Sequence, residues 1–291
     1  MIADISRPTF HDRITRATSR VAVVLSVVFT LIILATLVCV VGYLITLGGS
    51  ALSVGFFTDL PTGESHGNVG GMKHAVYGTL ILIGLASVVG VPLGVLTGVY
   101  LSEYDVGSVL ATPVRFICDV LAGVPSIVVG ILGYELVVRP IGNYNGYAGA
   151  AALAFIMIPI VARTTEEMLR LVPGNYREAS VGLGASKAET ILKVVLPAAT
   201  GSLVTGIMLA IARVAGETAP LLFTALGSRL LSTNPNEPMP SLTVQIFTYA
   251  TGPSPEQQRL AWAGILVLIG LIFALNLAIR FAASRGVRGA R

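Results

Sequence analysis

Residues 21–47 form one apolar run without a single charged side chain. A helix rises about 1.5 Å per residue, so a run of this length reaches across the roughly 30 Å hydrocarbon core of a bilayer. It is too long for the core of a cleaved signal peptide, which is about 7–15 residues. Comparable runs recur over residues 75–101, 113–138, 147–169, 198–226 and 260–282. The expectation is an all-α membrane protein with six transmembrane helices, because lipid offers no partners to an open backbone.

Composition agrees. Only 12% of the 291 residues are charged and 54% are hydrophobic, against about 25% charged in soluble domains. A net charge of +4 does not point to nucleic acid here, since the basic residues sit at the ends of apolar runs. Cys39 and Cys118 lie inside apolar runs and read as packing residues without metal-ligand spacing. His11, His66 and His74 are scattered and form no ligand set. The sequence offers no motif of the common enzyme classes. GLGASK, Gly182–Lys187, lacks the spacing of a nucleotide-binding P-loop, and neither a zinc-protease motif nor a serine nucleophile elbow occurs. The reading is a non-enzymatic chain with no cofactor and no metal.

Charge sets the expected orientation. With both termini cytoplasmic, the inner segments hold Arg7, Arg13, Arg16, Arg20, Arg115, Arg170, Arg177, Lys187, Lys193, Arg280, Arg285, Arg288 and Arg291. The outer segments hold only Lys73, Arg139, Arg229 and Arg259. The positive-inside rule selects this arrangement. It divides the chain into a basic tail (1–20), a first span (21–47), an external loop (48–74), a core (75–283) and a basic C-terminal tail (284–291).

Within the core, Gly84, Gly90, Gly94 and Gly98 mark the second span as one whose backbone approaches its neighbours. Pro125 and Ser126 predict a kink in the third span, and Pro159 interrupts the fourth. Residues 227–259, with Pro235, Pro238, Pro240, Pro253 and Pro255, read as an irregular external loop.

Charges inside spans are costly and mark candidate substrate paths or internal ion pairs. Arg213 and Glu217 lie four residues apart in the fifth span, a spacing that puts them on one helix face. Two readings stand side by side. One is a neutralised pair that lets a polar face meet the bundle interior. In the other, Arg213 faces a translocation path and meets an anion through its planar fork, with Glu217 tuning it or closing a gate. Arg163, at the inner end of the fourth span, is a further candidate that Glu166 and Glu167 could satisfy, or it snorkels to the interface. Asp119 has Arg115 four residues before it as the expected partner.

Between the fourth and fifth spans, residues 170–197 turn polar yet keep apolar residues at close spacing: Tyr176, Ala179, Val181, Leu183, Ala185 and Ile191. Pro173 and Gly174 open the segment with a turn and Pro197 closes it. An ordered amphipathic element between two spans touches something outside the membrane. Glu178-Ala179-Ser180, then Gly184 after three residues, then Val194, Leu196 and Pro197 after nine more, resembles the EAA loop of ABC importer permeases. Ser180 and Val194 are mild departures from that pattern.

IARVAGETAPLLFTAL (Ile211–Leu226), LAGVPSIVVG (Leu121–Gly130) and RTTEEMLRLVPGNYREAS (Arg163–Ser180) are similar to the PstA-type permeases of phosphate importers. The resemblance covers about residue 71 to the C-terminus. It implies a MetI-like permease fold in a bacterial plasma (inner) membrane. The implied work is the import of inorganic phosphate by alternating access, and the implied partners are a PstC-like second permease, two PstB-like ATPases and a PstS-like receptor. It places Glu178, Ala179, Gly184, Leu196 and Pro197 in a loop that docks on the ATPase, and Arg213, Glu217 and, more loosely, Arg163 along the phosphate path. Sulfate or molybdate import is the nearest alternative. An ion-coupled secondary transporter would leave residues 170–197 unexplained, and a non-transporting scaffold would not need charges within a span.

Overall fold

The structure, a computed structural model, describes residues 10–62, 70–104 and 109–288. Arg7, His66 and Arg291, named above, lie outside the described residues, as do the side chains of His11, Arg13, Arg16, Arg285 and Arg288. In chain order the helices are α1 (Phe10–Gly49), α2 (Val54–Thr58), α3 (Lys73–Glu103), α4 (Ala111–Gly123), α5 (Ser126–Gly133), α6 (Arg139–Ile141) and α7 (Gly146–Arg170). They continue as α8 (Gly174–Gly182), α9 (Lys187–Thr190), α10 (Leu196–Ala215), α11 (Ala219–Thr224), α12 (Leu242–Ala250) and α13 (Pro255–Arg288). Among the described residues, five stretches are long and apolar enough to cross a membrane, and α4 with α5–α6 makes a sixth if the bent pair is counted as one.

The bundle is built on α3 and α7. Gly90, Gly94 and Gly98, one turn apart on α3, lie against Met157, Val161 and Thr165, one turn apart on α7. A β-carbon at Gly98 would stand 2.5 Å from the Thr165 Cβ, and one at Gly94 would stand 2.6 Å from the Val161 Cβ. Only hydrogen at these positions lets the two helices run parallel in contact, which replaces the hydrophobic driving force that lipid does not supply. α10 returns antiparallel: Gly206 sits on Thr164, while Ala199 and Leu203 pack with Leu169 and Val172. Leu82, Met157, Val161, Ala210, Val214 and Leu221 close the centre.

α1 stands apart. It touches α13 near its C-terminal end, where Gly48 meets the Trp262 carbonyl and the Tyr43 ring meets the Trp262 ring edge-on at 5.7 Å. From Val21 to Val40 its large apolar side chains are exposed, a surface that lipid or another membrane subunit must cover.

Four expectations are corrected. Residues 113–138 bend at the expected Pro125 but by far more than a kink, for α4 and α5–α6 meet at an angle of 102°. Val124 adopts an extended conformation (φ −66°, ψ 130°) because the residue before a proline is pushed out of the α region. The span starting at 198 ends at Ala215; Gly216, Glu217 and Thr218 break it before α11. α5 and α11 then lie side by side in parallel, with Gly130 against Ala219 and Pro220 and Gly133 against Thr224.

Residues 227–259 are not irregular throughout. Ser241 caps α12 through the Val244 amide, and Met239, Leu242 and Tyr249 are buried. Nor does Pro197 end the polar element. α9 continues through a π-helical turn, Ile191–Val195, into α10. Pro197 has no N–H and would crowd the carbonyl four residues back. The chain widens just before it, the Leu196 amide reaching the Ile191 carbonyl. The same device precedes Pro140, where the Arg139 amide reaches the Tyr134 carbonyl.

Candidate functional site

Arg213 occupies the last turn of α10, and Glu217 lies just past the helix end, in the break before α11. The two therefore do not share a continuous helix face, yet they stay close, with Arg213 Nη2 3.7 Å from Glu217 Oε1. The Arg213 side chain is 58% exposed and that of Glu217 13%. The Glu217 amide closes the helix end on the Val214 carbonyl, and its own carbonyl accepts a 3.0 Å hydrogen bond from the Thr243 hydroxyl of α12. The break between α10 and α11 and the buried α12 segment thus meet at this acid. A half-exposed guanidinium with one long contact retains donors for an incoming oxyanion.

Arg163 is held far more tightly. Its Nε lies 3.0 Å from Asp119 of α4 and its Nη1 donates at 3.1 Å to Glu166. Glu166, 2% exposed, also accepts from Arg115 of α4 at 2.8 Å and pairs with Arg170 at 2.8 Å. The expected Arg115–Asp119 pair within α4 is replaced by these contacts between helices. A carboxylate buried this deeply is tolerated only with full charge compensation, which three arginines on two helices provide. Glu167, by contrast, is exposed. Since Thr164 faces Gly206, the Arg163 level lies roughly 10 Å along α10 from Arg213, at about 1.5 Å per residue. The two arginines are separate stations.

Residues 170–197 fold into α8 and α9 with an αL turn at Gly184 (φ +87°), a conformation that glycine adopts without strain. Ser186 caps α9 in a reciprocal capping box with Glu189, and Ser180 and Thr190 share a buried 2.9 Å hydrogen bond that fastens α8 to α9. Glu178 and Ala179 are exposed on α8, Leu196 is half-buried and Pro197 exposed at the start of α10. Beside them Tyr176, Val181 and Leu183 stand out, Leu183 being 91% exposed.

Sequence reasoning missed two joints. One is the approach of Arg115 and Arg170 to Glu166, which the sequence offered only to Arg163; its trace is the spacing Arg163, Glu166, Arg170 along one face of α7. The other joins Arg177 of α8 to Glu103 at the end of α3, with Nη2–Oε1 2.6 Å and Nε–Oε2 3.0 Å. These bonds raise the Arg177 pKa above its usual value. No local spacing could foretell a contact between residues 74 positions apart. The apolar cavity of about 130 Å³ between α5 and α7, lined by Val129, Leu132 and Phe155, has no donor suited to an anion.

A bundle of broken apolar helices with a loosely paired, half-exposed arginine at a helix break and a folded polar element at one end defines a membrane permease subunit. Residues 90–286 match the family described as binding-protein-dependent transport system inner membrane component. The chain is 44% identical over 266 residues to the phosphate transport system permease protein PstA of Yersinia pestis, covering 91% of this chain and 90% of that one. It is 41% identical over 267 residues to the PstA protein of Haemophilus influenzae, covering 92% of each. The MetNI methionine ABC transporter in an inward-facing conformation shares the fold: TM-score 0.56 at 21% identity, over 76% of this chain and 97% of that one. The chain belongs to the family of binding-protein-dependent transport inner membrane components, in its PstA-type group.

Proposed function

We propose that this chain is one permease half of an ATP-driven importer that moves inorganic phosphate across the bacterial inner membrane into the cytoplasm. The similarity to PstA proteins over nine-tenths of both chains carries the reading. The charge asymmetry of the loops supports cytoplasmic termini and a cytoplasmic α8–α9 element. There, the exposed apolar ridge of Tyr176, Val181 and Leu183 beside Glu178 and Ala179 suits a groove on an ATPase subunit. Two such ATPases, a PstC-like second permease and a PstS-like receptor complete the complex.

The chain does no covalent chemistry. ATP-driven closure of the two motors displaces α8–α9, the helices rock, and the path opens alternately to either side. Arg213 meets phosphate along that path. Its 3.7 Å contact with Glu217 is weak enough for a doubly hydrogen-bonding oxyanion to replace, and Glu217 re-forms the pair once the ion has left. Arg163 contributes only when the half-exposed Asp119 swings away, because Glu166 and Asp119 otherwise occupy it.

The test is phosphate uptake in cells lacking their own importer, supplied with this chain and its partners. Wild type restores uptake, while Glu178→Lys reaches the membrane, fails to retain the ATPase on purification and restores none. Restored sulfate uptake without phosphate uptake would defeat the substrate assignment. A Glu178→Lys chain that holds the ATPase and transports normally would defeat the docking assignment.

A further inference from the structure

α8 is joined by the chain to α7 and, through α9, to α10, but α3 is not its neighbour in sequence. Arg177 makes the connection. Its guanidinium grips both Glu103 oxygens at 2.6 and 3.0 Å, and it also donates to the Val172 and Leu169 carbonyls at 2.7 and 2.9 Å. The Glu103 side chain is 6% exposed. Next to it, Lys187 of α9 stands 4.2 Å above the Tyr104 ring, so both helices of the element hold the same end of α3. A two-point fork fixes orientation as well as distance.

The other end of α3 has matching contacts. The Thr79 hydroxyl accepts the Leu242 amide at 2.8 Å, and a β-carbon at Gly78 would collide with the Pro240 carbonyl. One residue further along α12, Thr243 donates at 3.0 Å to the Glu217 carbonyl. Thr79 to Glu103 spans roughly 36 Å of helix. A set of hydrogen bonds at each end and one helix that stays continuous through Pro92 therefore link the α8–α9 element to the acid that faces Arg213.

We propose that α3 is the connecting rod of this permease: Arg177 and Glu103 take up the displacement of α8–α9, and Thr79 and Thr243 deliver it to the backbone of Glu217. The four are positioning residues that touch no substrate. The inference rests on the permease reading and adds to the docking role of α8–α9. It states where the motion goes after docking. Packing along α3 and α7 alone would move α3 sideways with its neighbour, whereas joints at both ends move it as one piece with α8 and α12.

The experiment uses the complete complex in proteoliposomes, with receptor, and measures radiolabelled phosphate taken up and ATP hydrolysed in the same vesicles. Arg177→Gln and Thr79→Val assemble, retain ATP hydrolysis and lower the phosphate moved per ATP by about fivefold or more, the lower range of coupling between distant sites. Thr79→Ser, which keeps the acceptor for the Leu242 amide, retains the wild-type ratio. The rod is refuted if uptake and hydrolysis fall together at constant ratio, or if only one of the two ends changes the ratio. If wild-type vesicles carry sulfate in place of phosphate, the cargo assignment fails, and sulfate moved per ATP then tests the rod by the same criteria.

Discussion

Arg115 of α4 reaches Glu166 of α7 at 2.8 Å, and this pair ties a half-helix that bends away at Pro125 to the centre of the bundle. Arg163 and Arg170 complete the shell around the same buried carboxylate. Removing a buried partner strands the charges that remain. The loss reaches about 3–5 kcal/mol for fully buried pairs, and the partial exposure of these arginines brings it to the order of 2 kcal/mol. Glu166→Ala lowers the thermal unfolding midpoint of the purified complex, and Arg115→Ala added to it recovers part of the loss. An unchanged midpoint in Glu166→Ala would show that the cluster does not hold α4 in place.

The contact of α3 with α7 makes a sharper packing prediction. Gly98→Val places a branched side chain where even a β-carbon stands 2.5 Å from Thr165. Overpacking costs typically about 1–3 kcal/mol, so the yield of monodisperse protein falls. Gly84 has nothing within 4 Å of a β-carbon, so Gly84→Ala serves as the control and is neutral. Equal yields for the two variants would remove the glycine stripe from the account.

Gly184 turns the chain between α8 and α9 at φ +87°. A side chain in that conformation costs about 1–2 kcal/mol. Gly184→Ala therefore distorts the docking element and weakens retention of the ATPase subunit by about 5–30-fold. Gly182→Ala, at a position without positive φ and with open space around it, leaves retention unchanged. Pull-down titration of the ATPase against the two variants decides between them.

The architecture was legible because lipid allows few answers. Long apolar runs with few or no charges marked the helices, and the polar segment at 170–197 announced a folded element through its own spacing. The breaks were harder to see. Pro125 reads the same whether it bends a helix by 20° or, as here, by 102°, because the angle is set by where α5 packs on α11. Glu217 sits at the right distance for an i, i+4 pair, and local spacing says nothing of a helix that stops at Ala215. α12 hid among prolines; its one local signal was Ser241 before the apolar sequence from Leu242 to Tyr249. The pairings of Arg115 and Arg177 depend wholly on which helices become neighbours. Local rules offered Asp119 to Arg115, and the buried Glu166 won because no water reaches it.

Arg213 is the residue that meets the anion, and uptake by the reconstituted complex reads its contribution. ATP- and receptor-dependent accumulation of radiolabelled phosphate is measured in vesicles containing wild type, Arg213→Lys or Arg213→Gln. A hydrogen bond to a charged group contributes about 1.5–3 kcal/mol, so Arg213→Gln loses uptake by roughly tenfold to a hundredfold. Arg213→Lys, which keeps the charge but not the fork, falls between. Wild-type uptake of phosphate that excess sulfate does not compete away, together with this order of variants, is the predicted result. Wild-type rates in Arg213→Gln would contradict it.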